Sequence, residues 1–210
     1  MDHSIHAAEI FNKYANEYQY KFMDVSLYHE TLDTFCNQLH SPNAAILELA
    51  CGPGNITKYL LDKRPDLKIT ATDLAPNMIE LAKLNNPSAN FKIMDCRAID
   101  KIDIQYDGIL AGFCLPYLSR EEAVKLIHDA ALRIKPSGVL YISTMEDDNN
   151  KSGIRKGSQG DEIYMNFHEA GYLTAALLEN NFRLIDTKRI ESPASDGSTI
   201  VDLILIAEKY

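Results

Sequence analysis

The sequence predicts an α/β protein. The expected architecture is a seven-stranded, mostly parallel, doubly wound sheet with helices on both faces, a C-terminal antiparallel hairpin and an N-terminal helical cap. Three observations carry that expectation. From residue 44 onward, short apolar runs alternate with helical stretches, the texture of βαβ units. Near the C-terminus two strand-like runs are joined by a link too short for a crossover helix, so they pair antiparallel. Before residue 40 the chain reads as helix throughout.

The elements follow in order. Ile5, Ala8, Phe11 and Ala15 share one helical face, and Leu27, Thr31, Leu32, Phe35 and Leu39 share another. Residues 1–40 are assigned to a cap or lid and residues 41–210 to the main domain, with "HSPN" as the break between them. "AAILEL" and "ITKYLLDK" form the first strand–helix unit; "LKITAT" and "PNMIELAKL" form the second, with Pro76 where a first helical residue tolerates proline. "NFKIM" leads through a short link to "DGILAG". The helix "SREEAVKLIHDAALRI" opens on a Ser119/Glu122 capping box and is followed by the strand "GVLYIST". A polar, glycine-dotted stretch comes next, read as a lid loop with Gly153, Gly157 and Gly160 as hinges. A further helix is expected near Phe167, with a weaker Asn166/Glu169 box. "FRLIDTKRI" and "STIVDLILIAEKY", linked by "ESPASDG", make the final hairpin.

Composition narrows the function classes. A chain of 210 residues suits one compact domain. A net charge of −9 without a basic patch disfavours nucleic acid as a partner. Four cysteines without C-x-x-C spacing and six histidines without an H-x-x-x-H pair point to neither zinc nor a disulfide framework, so no metal is expected. There is no apolar stretch near the ~18 residues of a membrane span and no leader-like start. Free thiols fit a reducing compartment, so a cytoplasmic protein without membrane contact is expected, as monomer or homodimer.

The chemistry centres on "ILELACGPGNITKYL", residues 46–60. A strand ending at Glu48–Leu49 delivers the chain to the carboxyl edge of the sheet, where open α/β sheets bind ligands. Gly52 and Gly54 let backbone and ligand approach closely, and the next helix aims its N-terminal amides at the same place. Asp73 ends the second strand about twenty residues later, a spacing that suits a carboxylate bound to ribose hydroxyls; a helix cap is the structural alternative. The pattern indicates an adenosine cofactor. Thr57 stands where a dinucleotide site wants Gly or Ala, and Glu48 would repel a pyrophosphate but suits a cationic ligand.

At this point the chain resembles the class I S-adenosylmethionine-dependent methyltransferases. "ELACGPGN" is similar to their first motif, "TATDLAPNMIELAK" to their second, "MDCRAI" to their third and "YDGILAGFCLPYLSREEAVKLI" to their fourth. The resemblance covers about residues 40–145 and implies S-adenosyl-L-methionine as cofactor. It places Glu48, Ala50, Cys51, Gly52, Gly54 and Asn55 in the cofactor loop, Asp73 and Leu74 at the ribose, and Met78 against the adenine. Asp95 would bond the adenine amino group with Cys96 beside the ring, and Phe113 and Cys114 would lie near the methionine moiety. Tyr18 would fold over the cofactor from the cap. Ala50 replaces the first glycine of the family's turn, and Pro53 stiffens it and removes an N–H donor.

The implied activity is in-line methyl transfer to a small-molecule acceptor with an oxygen, nitrogen, sulfur or carbon nucleophile. Candidates for the acceptor side are Tyr14, which shares a helical face with Tyr18, Tyr117 after the fourth strand, and His168 as a base in the first turn of its helix. Ordinary packing is the alternative for each. Asp147 and Asp148 could attract a cation or be merely solvated. Two rival functions stay open: a non-catalytic S-adenosylmethionine sensor and a nicotinamide-dependent oxidoreductase.

Overall fold

A computed structural model describes residues 2–157, 160–193 and 199–210. Three helices come first: α1 (His3–Lys13), α2 (Ala15–Phe22) and α3 (His29–Gln38). Then β1 (Ala45–Leu49), α4 (Asn55–Lys63), β2 (Lys68–Asp73), α5 (Pro76–Asn85), β3 (Asn90–Ile93) and β4 (Tyr106–Gly112) alternate. Helix α6 (Arg120–Arg133) leads into β5 (Ile134–Met145). The remainder is β6 (Gly153–Lys156), β7 (Glu162–Met165), α7 (Ala170–Glu179), β8 (Phe182–Pro193) and β9 (Thr199–Lys209).

The seven-stranded sheet has the order β3-β2-β1-β4-β5-β9-β8. The first five strands are parallel and β9 runs antiparallel to both β5 and β8, as the sequence predicts. Strand order reverses between β1 and β4, so their carboxyl ends open a crevice there. Period-two alternation sends Leu47, Leu49, Ile109, Leu140 and Ile142 to one face, covered by α6 and α7. Ile46, Ile69, Leu110 and Tyr141 go to the other, covered by α3, α4 and α5. Helix α6 starts on the Ser119/Glu122 capping box and α5 on Pro76.

Three expectations need adjustment. Within residues 1–40, α1 and α2 lie over the crevice, but α3 buries Leu32 and Phe35 in the core of the sheet. The expected lid loop contains a second, two-stranded antiparallel sheet, β6 with β7, which packs on α1. Gly153 opens β6, and Gly157 and Gly160 belong to its turn, where the Gly157 N–H donates to Asp161 O; Ser158 and Gln159 lie outside the described residues. Helix α7 begins at Ala170 with Glu169 as its cap, because Asn166 is held back by Pro116 O through both its backbone and side-chain nitrogens. The link 194–198 between β8 and β9 also lies outside the described residues. Among the described residues, no helix is long and apolar enough to cross a membrane.

Candidate active site

A cavity of about 120 Å³ lies at the carboxyl ends of β1, β2 and β4, roofed by α1 and α2. The turn after β1 supplies Ala50 and Gly52, the turn after β2 supplies Asp73, Leu74 and Met78, and the link after β3 supplies Asp95 and Cys96. Phe113 and Tyr117 enter from the β4 end and Tyr18 from the roof. With Cys114, eleven of the site residues expected from the sequence therefore converge on one concavity.

The turn after β1 is wound tightly, with φ of 52° at Ala50, 54° at Gly52 and 79° at Gly54. It is pinned from outside by α5 and its C-terminal cap: Asn85 Nδ2 donates to Pro53 O at 2.8 Å and Asn86 Nδ2 to Gly54 O at 2.9 Å. A Cβ on Gly54 would come within 2.4 Å of Asn86 Nδ2, so this glycine serves close packing against that helix. Gly52 faces the cavity, where a Cβ would stand 3.6 Å from Tyr18 Cε1. Ala50 adopts a left-handed conformation that costs an L-residue about 1–2 kcal/mol. Replacing it with glycine removes that strain but adds unfolded-state entropy. Ala50→Gly is expected to stabilise the protein by roughly 0.5–1 kcal/mol in guanidinium unfolding.

Asp73 Oδ2 accepts from Gly52 N–H at 2.9 Å and Oδ1 from Ala75 N–H at 2.8 Å. Burial raises its pKa, and the backbone donors oppose that rise. An ionised carboxylate offers about four lone-pair sites, so two remain for a ligand. Asp95 is gripped by the Arg97 guanidinium, which also bonds Asp2 at the N-terminus of α1 and Glu122 in the α6 cap. The phenols of Tyr18 and Tyr117 are held protonated: burial pushes Tyr18 up to about 12, helped by the Asp73 charge, and moves Tyr117 in the same direction. Phe113 sits at a φ of 51° with its N–H bonded to Ser143, and its ring tilts against Tyr28 at 5.3 Å. Two left-handed non-glycine residues, Ala50 and Phe113, thus border the cavity, in keeping with backbone strain stored at functional sites.

Six expected residues lie outside the lining: Tyr14, Glu48, Cys51, Gly54, Asn55 and His168. Glu48 points into the core beneath the turn, where Thr57 Oγ1 donates to its Oε2 at 2.5 Å. The Cys51 N–H donates to Thr72 O, and its side chain is buried in the α3–α5 layer. Asn55 reaches across to the roof, donating to Phe22 O at 2.8 Å. The Tyr14 hydroxyl ties the junction of α1 and α2 to Asp161 in the β6–β7 hairpin. Asp147 is paired with Lys151 and Asp148 caps the turn at Asn150, so both acids have local partners.

His168 precedes α7 and is fully buried. Its Nε2–H donates to Leu115 O at 2.8 Å and its Nδ1 accepts from the Tyr172 hydroxyl. Burial lowers its pKa, keeping the ring neutral, but both nitrogens are engaged and neither faces the cavity. The ring locks the turn after β4 to α7. His168→Leu strands a carbonyl and a phenol and is expected to cost about 2 kcal/mol in urea unfolding.

The residues that sequence reasoning left out are instructive. Ser4 and Ala7 join Ala8 and Phe11 on the inner face of α1, and Met94, Gly112 and Leu118 complete the walls. The spacing of Ala8 and Phe11 signals the face but not what it covers. Gly112 had a readable signal, as a glycine closing a strand at the ligand edge; a Cβ there would meet Ile56 Cδ1 at 2.9 Å.

Residues 46–138 match the family of methyltransferase domains. A malonyl-[acyl-carrier protein] O-methyltransferase of Priestia megaterium is 32% identical over 138 residues, covering 64% of this chain and 49% of that protein. The chain spans about half or less of the length of the curated relatives it matches. Among solved structures, magnesium protoporphyrin IX methyltransferase of Synechocystis with bound S-adenosylmethionine superposes with a TM-score of 0.75 at 15% identity, covering 100% of this chain and 98% of that one. The 1,6-didemethyltoxoflavin-N1-methyltransferase of Burkholderia thailandensis, with bound S-adenosylhomocysteine, gives 0.71 at 20% identity, covering 100% and 90%. These superpositions establish a common fold.

Proposed function

We propose that this chain, whose residues 46–138 match the family of methyltransferase domains, is a Rossmann-like class I methyltransferase that uses S-adenosylmethionine to methylate a small-molecule acceptor. The observation that carries the reading is the convergence of a left-handed Ala50–Gly52 turn, a half-satisfied Asp73 carboxylate and an apolar slot at Met78 and Leu74 on one cavity. The solved structures that share the fold, with S-adenosylmethionine or its demethylated product bound, support the same cofactor here.

When bound, the cofactor supplies an electrophilic methyl group on a sulfonium. Asp73 would accept from ribose hydroxyls with the lone pairs that Gly52 and Ala75 leave free. Met78, Leu74 and Cys96 would enclose the adenine, and Asp95, steadied by Arg97, would accept from its amino group. Phe113 and Cys114 would border the methionine end. Tyr18 and Tyr117 remain phenols at neutral pH, so they orient by donating hydrogen bonds and do not remove protons. No histidine or lysine lines the cavity among the described residues. Catalysis by this chain then rests on orientation, which can supply ~7–11 kcal/mol, and on an acceptor whose nucleophile is already free of a proton.

The roof must move for binding. About 120 Å³ is well below the ~300–1,000 Å³ typical of ligand sites. Helix α1 is fastened by Asp2–Arg97, Lys13–Asp161, Ser4 Oγ to Tyr117 O, and Asn12–Asn77. Solvent-exposed ion pairs and single hydrogen bonds of this kind are individually weak, so the roof can open to admit ligands and re-close to exclude water.

Calorimetry with S-adenosylmethionine and S-adenosylhomocysteine tests the cofactor assignment. A screen of small metabolites followed by S-adenosylhomocysteine release tests the reaction. Heat of binding with turnover of at least one acceptor is the expected pair of results. Binding without any turnover would favour a sensor, and absence of binding would remove the proposal.

A further inference from the structure

The crossover from β3 to β4 carries a six-residue 3₁₀ turn, Cys96–Lys101, where parallel strands are usually joined by a full helix. The sheet face over β1, β2 and β3 is therefore incompletely covered. A cleft of about 350 Å³ opens there, within the range of small-molecule sites. Met94 belongs to both linings, so one side chain separates the two.

The cleft is walled by the apolar side chains of Met94, Ile102 and Ile104, with the fully buried Leu47 behind them. Its polar side combines the ammonium groups of Lys92 and Lys101 with the hydroxyls of Thr70 and Tyr106. Register places Thr72 opposite Lys92 and Thr70 opposite Leu47, so β1, β2 and β3 present these side chains on one face. Neither lysine forms an ion pair among the described residues, although acids outnumber bases in the chain by nine. Tyr106 is 3% exposed, yet its hydroxyl has no hydrogen-bond partner among the described residues. That hydroxyl borders the open space of the cleft, where water or a ligand can meet it. Asp103 is the one acid in the lining, and it weighs against a doubly charged ligand.

We infer that this cleft is a second binding site, for a small amphipathic monoanion: an apolar body laid on Met94, Ile102 and Ile104, and an anionic head group held by Lys92 and Lys101. Tyr106 and Thr70 supply hydrogen bonds along the wall. The site is distinct from the strand-tip cavity and does not depend on what that cavity binds.

The probe is 8-anilinonaphthalene-1-sulfonate, an aromatic body with one sulfonate, titrated by fluorescence into the full chain. Saturable binding is expected, weakened at least tenfold in the Lys92→Ala, Lys101→Ala double variant and several-fold in Tyr106→Phe. Both lysines are exposed, so the variants should keep the wild-type unfolding midpoint; the single variants Lys92→Gln and Lys101→Gln repeat the test with the polar stem retained. Octanoate is expected to displace the probe, and inorganic phosphate at equal concentration is not. Unchanged affinity in the lysine variants would place the probe elsewhere and overturn the inference. Displacement by phosphate as readily as by octanoate would also overturn it, because the apolar side chains would then contribute nothing.

Discussion

Replacing Asp73 by alanine is expected to weaken S-adenosylmethionine binding by about 100-fold or more. Hydrogen bonds to a charged group are worth ~1.5–3 kcal/mol each, and 1.4 kcal/mol is a factor of ten. Two such bonds to ribose hydroxyls reach that size even when the charge is partly screened. The substitution has a second consequence, since Gly52 N–H and Ala75 N–H lose their shared acceptor and the turn after β1 loosens. Asp73→Asn separates the two effects: its carbonyl can keep one backbone bond, while its amide nitrogen offers a donor where ribose offers donors too. Calorimetry on both variants, beside their urea unfolding curves, gives the check. Both should bind at least tenfold more weakly while unfolding cooperatively. Wild-type affinity in either would exclude the carboxylate as a ligand group.

That Asp73 could be picked out from sequence has a local cause. Strand tips in a parallel sheet are followed by turns whose chemistry is written in a few adjacent residues, and Gly52, Asp73, Asp95 and Phe113 each close or follow an apolar run. Strand count and direction were legible for the same reason, because buried parallel strands read as unbroken apolar segments. The β6–β7 hairpin was not. Its strands, Gly153–Lys156 and Glu162–Met165, are only four residues each and show no sustained alternation. They are held by partners far away in sequence: His3 stacks on Tyr164 at 4.4 Å, His6 bonds Glu162 O, and Lys13 pairs with Asp161. His168 failed for a related reason. Its proximity to a helix start was readable, but Leu115 O and Tyr172, which consume both ring nitrogens, come from opposite sides of it in the chain.

Glu48 was correctly placed at the end of β1 by sequence, but the charge assigned to it is corrected by burial, and this yields a second expected result. Alternation along β1 puts Glu48 on the same face as Ile46, under α4, where it is 1% exposed. Thr57 Oγ1 donates to Oε2, while Oε1 has no partner. Burial pushes the carboxyl up to about 8, the Thr57 bonds oppose the rise, and the nearby Asp73 charge adds to it. The folded protein therefore holds a proton that the unfolded chain has released across the interval from about 4.5 to about 8. Stability from this group is fully present below that interval and is lost as pH rises through it. At ~1.4 kcal/mol per pH unit, the loss is on the order of 5 kcal/mol. Glu48→Gln keeps the shape and the acceptor for Thr57 but cannot ionise. The variant should match wild type near pH 4.5 and exceed it progressively up to pH 9 in guanidinium unfolding, with the difference between the two curves isolating this one group. Parallel pH profiles would show that Glu48 is already ionised in the fold. Because a protonated Glu48 brings little charge to neutral pH, electrostatic attraction for a cationic cofactor falls to Asp73, since Asp95, the other carboxylate in the lining, is paired with Arg97.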